Sequence, residues 1–372
     1  MHPATSPLGY GKRFARIADH GRDFSVALTE SAWRHRLLYA IAMAALIIAM
    51  GVGSVTGSMP DFGVLRTYGF YILVAFWIGG SGFAIFRLVW LAAVERNPSP
   101  TRAFFASFGA FFGDAGRMAN GVNAMAALMI FISAFSVLKG AIGIIAPFYW
   151  DAALADADRW LHFGRAPHEW MWPLLENPSA VFAINFAYNF WFVTLIATVF
   201  TAALARKDTP LRHQFFISFM LVWLLGGFFI ATGFSSAGPC YFSRIGLGAE
   251  FQPLMDALER ANQTYSIWAL STQDMLWSGF TGASSGSIGI SAFPSMHVAS
   301  AVLFAIYAAR RSVYAGVVMW CFAAIVMLGS VALGWHYAVD GYAGALITIA
   351  IWKAVGKALS VTSTTDEASS IA

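Results

Sequence analysis

A chain of 372 residues that is 58% hydrophobic and only 11% charged has too little polar surface for a soluble domain, which carries about 25% charged residues, so it belongs in a bilayer. The formal charge of +4 is mild and reflects basic loops; no stripe of Lys and Arg with interleaved aromatics offers a nucleic-acid surface. Two cysteines, Cys240 in a loop and Cys321 in an apolar run, make no disulfide framework.

Residues 1–36 are polar and basic, and no signal-peptide cleavage pattern follows them. They read as a cytoplasmic N-terminal segment. A hydrocarbon core about 30 Å thick needs roughly 20 apolar helical residues. Eight runs meet that need: about 37–56, 68–94, 122–146, 179–204, 212–233, 296–310, 314–333 and 337–358. None alternates with period two over barrel-length segments, so the expected fold is all-α, a polytopic bundle of about eight transmembrane helices.

Basic residues set the orientation. Lys12, Arg13, Arg16, Arg22, Arg34 and Arg36 precede the first run. Arg87, Arg96, Arg102 and Arg117 surround the second connection, Arg206, Lys207 and Arg212 the fourth, Arg310 and Arg311 the sixth, and Lys353 and Lys357 begin the tail. With eight spans these all fall on one side. Both termini are therefore expected in the cytoplasm, with 147–178, 234–295 and the turn at Trp335-His336 facing outward.

The 147–178 loop is rich in Trp and acid. Leu154, Ala157 and Leu161 are spaced as one helix face, which predicts an interfacial helix anchored by Trp150, Trp160, Trp170 and Trp172. The polar tail 359–372 is expected to be disordered.

Ionisable residues at membrane depth point to function. His297 opens the sixth run in FPSMH. His336 and Asp340 open the eighth in GWHYAVDGYAG. Four residues apart, His336 and Asp340 share a helix face. The carboxylate can hold one imidazole nitrogen and leave the other free as base or nucleophile. In FPSMH a proline suits the first turn of a helix, Ser295 can cap it, and free amides there attract phosphate. Two histidines beside a phosphate cradle suit phosphoryl transfer. The same three residues also allow a structural pair or, less simply, a zinc site.

SAFPSMHVASA and HYAVDGYAG resemble the second and third signature motifs of the type 2 phosphatidic acid phosphatase superfamily, P-S-G-H and S-R-x5-H-x3-D. SSAGPCYF resembles the G-P-x-Y element of the branch containing inositol phosphorylceramide synthases. The resemblance covers about 122–358 and implies a six-helix core there, with two accessory helices and their connection at 37–121. It further implies metal-independent, cofactor-free chemistry through a phosphohistidine at the outer leaflet. His336 would be the nucleophile, Asp340 its orienting acid and His297 the acid and base. Ser295 and the Met296 amide would hold phosphate oxygens.

The first superfamily motif, K-x6-R-P, has no counterpart, and Gly329 and Ser330 stand where the third motif has Ser-Arg. A transferring phosphoryl group wants positive charge. Arg244, just after Tyr241 in GPCYF, and Lys139, about 12 Å below the outer end of the third run, are the candidate replacements. Each has a plain alternative: Arg244 can satisfy loop carbonyls and Lys139 can snorkel. Asn185, Tyr188 and Asn189 share a face of the fourth run, for interhelical hydrogen bonds or for reading a headgroup.

The expected activity is transfer of a phospho-headgroup from a phospholipid or sphingolipid to a lipid alcohol. The alternatives are a lipid phosphate phosphatase and a non-enzymatic lipid transporter. The expected location is a bacterial inner membrane. Oligomeric state is left open.

Overall fold

The computed structural model describes residues 23–57, 62–282 and 289–371, and among them no strand occurs. A helix over 23–34, α1, leads into α2 (Arg36–Thr56). There follow α3 (Phe62–Ala93), α4 (Pro100–Phe112), α5 (Ala115–Ile145) and the short outer helices α6 (Asp151–Leu161), α7 (Pro167–Trp170) and α8 (Trp172–Leu175). Next come α9 (Pro178–Asn189), α10 (Trp191–Ala203), α11 (Pro210–Leu221), a π-helical stretch Val222–Ile230 and α12 (Ala231–Gly233). The chain ends with α13 (Gln252–Asn262), α14 (Trp268–Phe280), α15 (Met296–Ala309), α16 (Val313–Ala332) and α17 (Ala338–Ile371).

Among the described residues six segments are long and apolar enough to cross a membrane: α2, α5, α9–α10, α11–α12, α16 and the first part of α17, Ala338–Ser360. The other two expected spans fall on shorter apolar helices, Gly80–Ala93 within α3 and Met296–Ala309, which is α15. With 14 residues, α15 is about 21 Å long at 1.5 Å per residue. It is sheathed by protein, with Val298 through Ala305 all buried, so it need not match the bilayer.

The accessory helix α2 lies along α5 through a stripe of small residues. Ala42, Ala45 and Ala49 are fully buried, with Leu38 above and Gly53 below. Small side chains let two backbones approach, which is how helices associate where lipid is as apolar as protein. Large apolar residues on the opposite face of α2, such as Ile47 and Val55, stay exposed, as does Phe83 on α3, as hydrocarbon-facing positions do.

Three features differ from the expectations. The 179–204 run is interrupted at Phe190, between α9 and α10. The 234–295 connection contains α13 and α14; Leu254, Ala257, Leu258 and Ala261 form the buried face of α13 at the spacing of an amphipathic helix. In the tail 359–372, the backbone of α17 continues to Ile371. Extending an existing helix costs far less than starting one, so a polar sequence can prolong it.

The basic side is closed by a buried polar knot. Arg212, 1% exposed, donates to the carbonyls of Ala202, Asn120 and Ala203, to Asp208 Oδ1 at 2.8 Å and to His35 Nε2 at 2.7 Å. His35 Nδ1 in turn faces the Ser31 carbonyl at 2.7 Å. Both nitrogens are thus committed in a neutral ring. Burial, aided by Arg212 and His213, lowers His35 to about 4. Burial likewise lowers His168.

These shifts fix a sign. Between the ordinary value near 6.5 and the lowered one, the unfolded chain takes up protons that the folded chain refuses, so stability falls as pH drops. Each such histidine costs up to about 1.4 kcal/mol per pH unit in that window. The unfolding temperature in detergent should fall steadily from about pH 6.5 to pH 4; a flat curve would mean the His35 ring charges without loss.

Candidate active site

The two histidine motifs meet at the outer ends of α15 and α17. Phe293–Pro294 is a cis peptide, and Ser295 follows as the N-cap of α15, its hydroxyl accepting from Val298 N–H at 3.5 Å. Ser295 N–H donates to the carbonyl of Asp340 at 2.9 Å. A main-chain hydrogen bond therefore ties FPSMH to the first turn of α17. Gly344 permits the approach, because a Cβ there would lie 2.6 Å from the Ser295 carbonyl oxygen. Gly344→Ala should push α17 away, cost about 1–3 kcal/mol of stability as overpacking does, and depress turnover. Unchanged unfolding temperature and rate would show that the two helix ends tolerate separation.

His336 precedes α17 in a turn. Its amide, like that of Trp335, donates to the Ser330 carbonyl at 3.1 Å. His336 Nδ1 lies 3.3 Å from Asp340 Oδ2, which also accepts from Tyr337 N–H at 3.1 Å. Asp340 is fully buried, and its Oδ1 has no partner among the described residues. The carboxylate thus holds one imidazole nitrogen and leaves the other for chemistry. Burial first, and then the charges of His297 and Lys139, push His336 well below its ordinary range. It is a free base at neutral pH.

His297 is one residue inside α15, and its ring sits among aromatic rings. Tyr188 is stacked on it at 4.9 Å between centroids, and Trp191 lies at 4.2 Å. The Met296 side chain turns away toward the π-helical stretch, where a Cβ on Gly227 would meet its sulfur at 3.4 Å. What Met296 can offer an anion is its amide at the helix start.

Of the candidate cations, Lys139 is the one brought to the histidines. Its ammonium donates to the Ser291 carbonyl at 3.1 Å, just ahead of FPSMH, and its charge bears on both His297 and His336. Arg244 is engaged elsewhere. Its guanidinium pairs with Asp274 at 2.6 Å and lies over the rings of Tyr241 and Trp277. Tyr241 is buried and donates to the Gln273 carbonyl at 2.9 Å, so it anchors the GPCYF loop against α14. Asn185 Oδ1 accepts from Ala269 N–H at 3.2 Å, an interhelical bond, and Asn189 donates back to the Asn185 carbonyl at 2.8 Å. No group of three His, Cys, Asp or Glu side chains among the described residues is placed to hold a metal ion.

Two acids of α6 brace the site, and sequence reasoning passed over both. Asp151 is fully buried. Its carboxylate accepts from Ser236 Oγ, Gly238 N–H and Ala237 N–H at 2.8 Å each, and from Tyr337 Oη at 2.9 Å. Asp158 accepts from Ala338 N–H at 2.7 Å and Val339 N–H at 2.8 Å. It satisfies orphan amides at the start of α17. Burial raises the Asp158 carboxyl above its ordinary value, against the pull of these two bonds. The buried face of α6 is therefore Asp151, Leu154, Ala155 and Asp158, whereas Leu161 of the expected face is exposed. A carboxylate presented to free backbone amides outweighs the small apolar area of an alternative face. The readable signal was the spacing of seven, which puts both acids on one side of a helix.

A family model described as "PAP2 superfamily" matches residues 152–354, more than half of the chain. The match begins inside α6 and includes both histidine motifs, while α5 with Lys139 lies outside it. No curated protein and no solved structure matches the chain.

Proposed function

The chain belongs to the PAP2 superfamily, and from that premise we propose that it is a lipid phosphotransferase or phosphatase that works through a phosphohistidine at the outer leaflet. The observation that carries this is the main-chain bond from Ser295 to Asp340, which places the cradle motif against the pair His336–Asp340.

In the first half-reaction the free nitrogen of His336 attacks phosphorus. The bond from phosphorus to the departing oxygen breaks, and His297 supplies that oxygen with a proton. Asp340 holds the Nδ1 proton and stabilises the charge that develops on the ring. Lys139, with the amides at the start of α15, faces the negative phosphoryl oxygens. In the second half, His297 removes a proton from an incoming hydroxyl. The new oxygen–phosphorus bond forms as the nitrogen–phosphorus bond breaks, and both histidines return to their starting states.

The acceptor separates the two activities. Transfer to a lipid alcohol is favoured by the buried setting, with His336 at 8% and Asp340 at 0% exposure, since a site that excludes water favours other acceptors. The GPCYF element, pinned by Asp151, adds the resemblance to inositol phosphorylceramide synthases. The basic ends of the spans support cytoplasmic termini.

Product analysis tests this. Purified protein given a labelled lipid phosphate should form a new lipid phosphomonoester when ceramide or diacylglycerol is added, and EDTA should leave the rate unchanged. Free phosphate as sole product under every acceptor condition would leave hydrolysis as the activity. Loss of turnover in EDTA would redirect the chemistry to a metal.

A further inference from the structure

We propose that Tyr188 and Trp191 are positioning residues for His297, forming an aromatic clamp that holds its imidazole and favours the protonated ring. This rests on the role given to His297 above.

The two catalytic histidines are held in different ways. His336 is fixed by a carboxylate, whereas no hydrogen bond fixes the His297 ring among the described residues. Its neighbours are aromatic faces: Tyr188 at 4.9 Å and 22°, Trp191 at 4.2 Å and 44°, with Phe192 edge-on at 6.1 Å and 89°.

Both principal rings are themselves locked. Trp191 Nε1 donates to Ser300 Oγ at 3.0 Å, one turn beyond His297 on α15, so the indole is tied to the helix that carries its target. Tyr188 is wedged against α16, where a Cβ on Gly329 would meet its ring at 3.0 Å. The two rings flank the interruption at Phe190. Tyr188 is on α9 and Trp191 on α10, and both rings reach one imidazole.

The electrostatic need is specific. The ionisable groups around His297 are Lys139 from α5, His336 from the turn before α17 and the phenol of Tyr188 from α9. Lys139 is itself a cation, and the acid nearest the pair, Asp340, is bonded to His336. Aromatic faces attract cations through their quadrupole, and they do so without competing with the phosphoryl group for a hydrogen bond.

The test combines rate and spectroscopy on the full chain in detergent. Tyr188→Leu and Trp191→Leu should move the alkaline limb of the pH–rate profile toward acid by about one unit, the size of a desolvated cation–π contact. Tyr188→Phe and Trp191→Phe should hold the limb in place. In wild-type protein, the His297 ring protons, assigned by comparison with His297→Asn, should resonate upfield of ordinary histidine and move downfield in the Leu variants. Leu variants that scale the rate equally at every pH would overturn the clamp. So would His297 protons at ordinary shifts in the wild type, a measurement that needs neither activity nor a folded Leu variant. A wild type with the upfield shift but no turnover on any lipid phosphate would instead remove the catalytic reading and leave the packing intact.

Discussion

Alanine at position 336 should yield a protein that inserts and folds yet traps no phosphoenzyme. Wild-type protein quenched during turnover of a labelled lipid phosphate should carry label in an acid-labile, base-stable form, as a nitrogen–phosphorus bond does. His336→Ala deletes the atom that makes this bond, and the loss should reach at least about ten-thousand-fold, since removing a nucleophile disables the whole catalytic unit. Asp340→Asn should keep the shape and lose less, about a hundred- to ten-thousand-fold, because the ring then lacks the charge that stabilises its cationic form. Label retained in His336→Ala would displace the nucleophile to another residue. A chain with no labelled species under any substrate, and lipid movement untouched by His336→Ala, would fit a transporter.

The second large effect lies outside the chemistry. Asp151→Ala should be among the most damaging single substitutions in the outer half of the molecule. It strands Ser236 Oγ, the amides of Ala237 and Gly238, and Tyr337 Oη, all from one fully buried carboxylate. Buried donors without partners cost about 1–3 kcal/mol each, and relaxation will recover part of that, so a net loss of roughly 3–5 kcal/mol is expected. Asp151→Asn should fall between, because its amide nitrogen faces donors. The control is Asp156→Ala on the same helix. That side chain is 72% exposed and pairs only with Arg159, so its removal should change stability by less than about 0.5 kcal/mol. Thermal unfolding in detergent separates the two. Equal effects would mean that α6 merely rests on the membrane surface.

Much of the bundle was legible because a hydrocarbon solvent leaves few options. Each expected apolar run falls on helical backbone, 179–204 as two helices, since no other element satisfies its own backbone there. The pair His336 and Asp340 was legible because its spacing is local. Contacts across the chain were hidden. Asp151 reads as one more acid in an acidic loop, and its partners lie 85 to 186 positions away by number. The break at Phe190 carries no proline or glycine, so periodicity ran one helix through it. Arg244 stood out for its closeness in sequence to GPCYF, while its partner Asp274 lies 30 positions on, in a helix that read as a loop. Lys139 stood out for its depth, and depth is what places it under the Ser291 carbonyl.

The link between Ser295 and Asp340 joins peptide groups, not side chains. Substituting either residue, proline at 295 aside, leaves donor and acceptor in place, so side-chain changes at these two positions do not touch the link. Variants at these positions will therefore report on reactivity over an unmoved frame; Gly344→Ala can strain the link, and an ester in place of the Ser295 amide can remove it outright.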